Sequence, residues 1–110
     1  MSILALFCWA ILQLNAQTTV SRSVPTFDEV SVSGGFDLVE LKEGSSETVK
    51  LVLKGIDPDQ ITTEVKDGNL RIGIKRGSYQ RFEGKIYVTY RNLKRIANSG
   101  SSDIVVASTV

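Results

Sequence analysis

Residues 61–74 read ITTEVKDGNLRIGI, and their alternation decides the fold class. Ile61, Thr63 and Val65 alternate with Thr62, Glu64 and Lys66; after Asp67-Gly68, Leu70, Ile72 and Ile74 alternate with Arg71, Gly73 and Lys75. A period of two marks a strand with one face against a core. Asp-Gly between two such runs predicts a two-residue turn, because Gly accepts positive φ without a Cβ clash. Folding there sets Val65 opposite Leu70, Thr63 opposite Ile72 and Ile61 opposite Ile74, all on one face. On the other face Glu64 meets Arg71, an opposite-charge pair worth a few tenths to about 1 kcal/mol.

The same period recurs on both sides of this hairpin. Val49, Leu51 and Leu53 alternate with Lys50, Val52 and Lys54, and Ile86, Val88 and Tyr90 with Lys85, Tyr87 and Thr89. Val30 and Val32 alternate with serines, and Val39 and Leu41 continue after Gly34-Gly35. Gly44, Gly55, Gly68, Gly77 and Gly84 fall at turn spacing, and Asp57-Pro58-Asp59 predicts a further loop. No long segment after Ala16 has helical periodicity. The expected fold is all-β, with antiparallel hairpins leading into the start of a β-solenoid. The solenoid expectation comes from Asn98-Ser99-Gly100-Ser101-Ser102-Asp103, followed by apolar Ile104-Val105-Val106-Ala107. Small polar residues suit a corner where the chain turns with no bulky side chain. Ser99, Ser101 and Asp103 could instead offer oxygens to a cation, but their spacing matches no calcium loop.

The N-terminus has a different character. Thirteen of residues 1–16 are apolar, and no Lys, Arg, Asp or Glu precedes Arg22. The uninterrupted apolar run Ile3–Leu12 is half the length a membrane-spanning helix needs, about 20 residues. It fits the apolar core of a secretory signal, with Ala16 as the small residue before the cut. The expected organisation is a signal peptide at 1–16, a polar flexible arm at 17–25 ending in Pro25, and a β domain at 26–110. No stable membrane span is expected once the signal is removed. Cleavage would also remove Cys8, the chain's only cysteine, leaving no thiol for a disulfide.

Charge is uneven along the chain although the net is +1. Arg22–Asp67 carries ten acidic and five basic residues; Gly68–Val110 carries two acidic and eight basic. The two halves either neutralise each other across paired strands, as Glu64 and Arg71 would, or leave a basic face for an anionic partner.

Composition removes most catalytic chemistry. The chain has no His, so a Ser-His-Asp triad is impossible, and a zinc site would need carboxylates alone. Asp57/Asp59 and Asp28/Glu29 are acidic pairs of the type glycoside hydrolysis uses, but such close pairs are ordinary in solvated loops. Gly34-Gly35 precedes a strand rather than a helix and makes no phosphate cradle. Gly84-Lys85-Ile86-Tyr87-Val88-Thr89-Tyr90 overlaps an RNA-recognition pattern. That module requires helices the chain lacks, so no nucleic acid is expected.

Four pieces together resemble a family. FDEVSVSGGFDLVELKEG (residues 27–44), VKDGNLRIGIK (65–75), IYVTYRNLKRI (86–96) and NSGSSDI (98–104) are similar, in order and spacing, to the auto-transporter adhesin "head GIN domain" group of secreted Gram-negative proteins. The resemblance implies strands leading into a β-solenoid, an exported location (periplasmic, outer-membrane-associated or extracellular) and an adhesin role with no defined ligand. It carries over no catalytic motif, cofactor or metal. Members of the group continue with further turns after the SGSSD-like corner, so the resemblance implies an open apolar edge at Ile104–Val106.

The expected function is a non-enzymatic exported β domain for adhesion or cell-envelope interaction, with a surface glycan or envelope component as partner. The alternative is a structural or assembly domain that pairs with another chain, or with itself, through the open C-terminal strand edge. Tyr79, Arg81, Lys85 and Tyr87 form the candidate binding surface, because aromatics among cations can stack on sugars or hold anionic glycans. Phe82, in the same stretch, reads as a core residue.

Overall fold

The computed structural model describes residues 17–75 and 81–107. The expected signal peptide and Tyr79 lie outside the described residues. The described residues form nine strands: β1 (Thr18–Ser23), β2 (Glu29–Val32), β3 (Leu38–Glu43), β4 (Thr48–Lys54), β5 (Ile61–Lys66), β6 (Asn69–Ile74), β7 (Glu83–Tyr90), β8 (Arg95–Asn98) and β9 (Ile104–Ala107). One 3-10 turn, Pro58–Gln60, is capped by the Asp57 carboxylate, which accepts the Asp59 N–H at 2.9 Å. Among the described residues there is no α-helix, and no helix long and apolar enough to cross a membrane.

The β5–β6 hairpin has the expected register: Val65 pairs Leu70, Thr63 pairs Ile72, Ile61 pairs Ile74 and Glu64 pairs Arg71. At its tip Asp67 and Gly68 both adopt positive φ, +52° and +76°, as a two-residue hairpin turn requires.

The strands assemble into a five-stranded sheet, β1-β4-β7-β3-β9, and a four-stranded sheet, β5-β6-β2-β8. Both sheets are mixed, and neither closes into a barrel. The expectation of antiparallel hairpins holds for β5–β6 but not for the stacked strands. β2 lies parallel to β6 and β8, and β3 lies parallel to β7 and β9. Alternation marks a strand and its buried face but not its distant partner. Three consecutive strand pairs, β6–β7, β2–β3 and β8–β9, therefore cross between the sheets and stack in that order. The stacking aligns apolar columns: Leu70, Val30 and Ile96; Ile86, Val39 and Ile104; Val88, Leu41 and Val106. At one end of the stack the antiparallel strands β5 and β4 cover β6 and β7, with β1 beyond β4.

The core lies between the sheets. Val30, Val32, Val39, Leu41, Val49, Leu51, Leu70, Ile72, Ile86 and Val88 are buried from the strands, joined by Phe27 and Phe36 from the connections. Burying one such side chain contributes about 1.5–3 kcal/mol, against at most about 1 kcal/mol for an exposed ion pair. These columns, not the surface charges, hold the fold.

Residues 17–25, expected as a flexible arm, instead contribute β1, paired antiparallel with β4 from Thr18↔Leu53 to Ser23↔Thr48. The cause lies in polar contacts that a polar sequence conceals. The Arg22 guanidinium donates to the carbonyl oxygens of Ile61 at 2.8 Å and Pro58 at 2.9 Å, and to Thr63 Oγ1 at 3.0 Å. Beyond β1, the Glu47 carboxylate accepts the Phe27 N–H and the Thr26 hydroxyl, each at 3.1 Å.

The glycine-rich connections of the second and third strand pairs interlock. Ser102, buried between them, donates its hydroxyl to Gly34 O at 2.7 Å and accepts the Phe36 N–H at 2.8 Å. The Asn98 side chain donates to Ser102 O at 2.8 Å. A Cβ on Gly100 would overlap the Gly34 backbone, so only glycine permits the approach. Residues 98–103 thus form a corner, as expected. Its key member is Ser102, which the cation-site alternative left out.

Candidate functional site

The candidate site is the outer face of the five-stranded sheet. Its strands bury Val39 and Leu41, Val49 to Leu53 in alternation, and Ile86 and Val88. By the two-residue period, Leu38, Glu40 and Lys42, Lys50, Val52 and Lys54, and Glu83, Lys85, Tyr87 and Thr89 point the other way. Register then sets them in rows. Tyr87 lies between Lys50 on β4 and Glu40 on β3; Lys85 lies between Val52 and Leu38. The Lys50 ammonium stands over the Tyr87 ring, 5.9 Å from its centroid.

Of the candidate binding residues, Lys85 and Tyr87 share this face two residues apart on β7. Arg81 is exposed just before β7 and, with Lys54, Phe82 and Glu83, lines a groove of about 390 Å³. Phe82 is partly buried against the core, its ring edge-on to Phe36 at 6.1 Å, as expected. A second groove of about 320 Å³ joins Asp37, Val52, Lys54, Glu83 and Lys85. Lys50 was not among the expected site residues. Its outward direction was legible in the alternation of β4, but the adjacency of β4 to β7 was not.

Of the two expectations about charge, pairing between the acidic and basic halves is found on the four-stranded sheet. On the four-stranded sheet the halves of the chain neutralise each other: Glu64 pairs Arg71, Glu29 pairs Arg95, and Lys94 Nζ approaches Asp28 Oδ2 at 3.5 Å. On the outer face of the five-stranded sheet Lys42, Lys50, Lys54 and Lys85 outnumber Glu40 and Glu83, but only Lys85 comes from the basic half of the chain. The groups on this face are cations, an aromatic ring and aliphatic side chains. They can stack on sugar rings and hold anions, and they include no nucleophile–base pair. Among the described residues no cluster of three or more His, Cys, Asp or Glu could hold a metal ion.

Fold and surface define an all-β protein of mixed sheets that presents an open face. The chain belongs to the family described as "putative auto-transporter adhesin, head GIN domain", whose model matches residues 26–110. Solved structures share the fold. A putative adhesin from Bacteroides fragilis NCTC 9343 superposes with a TM-score of 0.71 at 19% identity, over 84% of this chain and 44% of that one. A putative adhesin from Parabacteroides merdae ATCC 43184 gives 0.74 at 16% identity, over 84% and 39%. A putative lipid binding protein from Parabacteroides distasonis ATCC 8503 gives 0.67 at 20% identity, over 84% and 41%. The chain thus spans about two fifths of these structures' length. No curated protein matches it in sequence.

Proposed function

We propose that this chain is a non-enzymatic, exported β domain that binds an anionic cell-surface glycan or cell-envelope component through the outer face of its five-stranded sheet. The observation that carries this reading is the Lys50–Tyr87–Lys85 arrangement, in which the ring has one cation beside it on β4 and another two residues along β7, on an open face where Glu40 is its other cross-strand neighbour. An exposed cation–π contact is worth only about 0.5–1 kcal/mol. Useful affinity must therefore come from several weak contacts at once, which suits a repeating polymer. Adjacent strands carry these side chains about 4.8 Å apart, a spacing that one extended chain of sugars can span.

Export to the periplasm, outer membrane or exterior is supported by the apolar Ile3–Leu12 run before Ala16 and by the adhesin description of the family. The three stacked strand pairs support the reading of the fold as the first coils of a β-solenoid.

The test is binding of the full chain to acidic and neutral polysaccharides and to vesicles of anionic lipid, at low and high salt. The vesicles enter because one structural neighbour bears a lipid-binding name. The expected result is retention on an acidic polysaccharide that weakens with salt and falls about tenfold in Lys50→Glu and Lys85→Glu. Binding unchanged in both variants would remove the site. Preference for vesicles over every polysaccharide would replace the glycan with an acidic headgroup. Polysaccharide turnover lost on an Asp or Glu substitution would make the protein an enzyme.

A further inference from the structure

Three connections meet where the parallel strands β6, β2 and β8 begin. Asp67-Gly68 precedes β6, residues 26–28 precede β2 and residues 92–94 precede β8. Register sets the first residues of these strands side by side, Asn69, Glu29 and Arg95. The connections enclose a cleft of about 450 Å³, within the range of small-molecule sites, about 300–1,000 Å³. No residue of β8 or β9 lines it.

Backbone hydrogen bonds hold the cleft in shape. Gly68 O accepts the Asp28 N–H at 2.9 Å and the Glu29 N–H at 3.1 Å, and Asp28 O accepts the Lys94 N–H at 2.7 Å. Buried Phe27 and partly buried Leu93 give the cleft apolar walls. Its rim is polar and only partly engaged. Asp28 Oδ2 lies 3.5 Å from Lys94 Nζ, longer than a charge-assisted hydrogen bond of about 2.7–2.9 Å. Both groups therefore keep capacity for another partner. The Asp67 carboxylate and the Asn92 carboxamide line the same cleft, exposed and, among the described residues, unpaired.

We propose that this cleft is a second binding site, for a single uncharged sugar residue such as a hexopyranose. Four features select that chemistry. Acceptors and donors stand together: carboxylates take hydroxyl hydrogens, while the ammonium and carboxamide N–H groups give to hydroxyl oxygens. Leu93 offers an apolar surface to the C–H face of a ring. Two carboxylates against one ammonium disfavour the anionic polymer assigned to the five-stranded sheet, and the ammonium disfavours a bare metal cation. Finally, Gly68 O and Asp28 O are already occupied within the chain, so a peptide finds no open ladder to extend here. The Lys50–Tyr87 face takes no part, so this inference stands or falls independently of the glycan reading.

The test is amide-resolved NMR titration of the full chain with the methyl glycosides of glucose, galactose, mannose and N-acetylglucosamine, at low and high salt. The expected result is saturable shifts of the Asp28, Gly68 and Lys94 amides with at least one glycoside, unaltered by salt. Asn92→Ala and Asp67→Asn should each weaken that binding about tenfold. Asn-Gly suits the hairpin tip as well as Asp-Gly, so the second variant keeps the turn and removes the charge; far-ultraviolet dichroism checks that both remain folded. Retention on an acidic polysaccharide should be the same in both variants as in the native chain. No response of these amides to any glycoside, up to its solubility, overturns the proposal. So does glycoside binding that both substitutions leave intact. Shifts produced by calcium chloride but by no glycoside would make the cleft a cation site instead and overturn it equally.

Discussion

Ser102 Oγ accepts the Phe36 N–H at 2.8 Å across 66 positions of sequence. The same hydroxyl donates to Gly34 O at 2.7 Å. One side chain thus satisfies a donor and an acceptor of the β2–β3 connection and ties it to the β8–β9 corner. Truncation would leave both backbone groups without this partner in a buried site. Ser102→Ala is expected to cost about 1–3 kcal/mol, read as a fall in the urea midpoint with an unchanged slope.

Gly100 and Gly35 lie in the same interlock but differ in what a methyl group would meet. At Gly100 it would strike the Gly34 backbone, whereas at Gly35 it would meet only Ser101 Oγ, at 2.9 Å. A side-chain tip can rotate away and a backbone cannot. Gly100→Ala should destabilise by about 1–3 kcal/mol, clearly more than Gly35→Ala. Equal melting temperatures for the two variants would contradict the interlock.

Arg22 fastens β1 to the far sheet through three hydrogen bonds. Its planar fork reaches both the Pro58 and Ile61 carbonyls, which a single ammonium cannot do in the same geometry. Arg22→Lys should therefore recover little of the loss in Arg22→Ala, about 1–3 kcal/mol. Hydrogen exchange would show the β1 amides losing protection first. Full rescue by lysine would reduce the contact to a matter of charge.

The Lys50–Tyr87 contact should appear as coupling in a double-mutant cycle. Lys50→Ala and Tyr87→Leu, alone and together, are expected to give an interaction energy of about 0.5–1 kcal/mol. Chemical denaturation measures it, and Tyr87→Phe should retain most of it because the ring face survives. A coupling energy of zero would mean that the ammonium position over the ring contributes nothing.

The β5–β6 hairpin was legible residue by residue, to its register and its Glu64–Arg71 pair. Every interaction that defines it lies within fourteen consecutive residues, where alternation and an Asp-Gly turn act locally. The site was half legible: Lys85 and Tyr87 share a face by period alone, while Lys50 joins them only because β4 hydrogen-bonds to β7. β1 was misread because its anchors, the Pro58 and Ile61 carbonyls, are distant in sequence and absent from any local pattern.

The amino-acid order by itself determined an all-β body, the inward and outward faces of its strands, and the absence of imidazole chemistry. Those properties depend on side-chain type and on steric rules that act over two or three residues. Only the tertiary structure decided that β2 and β3 lie parallel to strands on both sides, and that Ser102 locks two corners together. Those outcomes depend on which apolar faces bury one another, a choice made jointly by residues tens of positions apart.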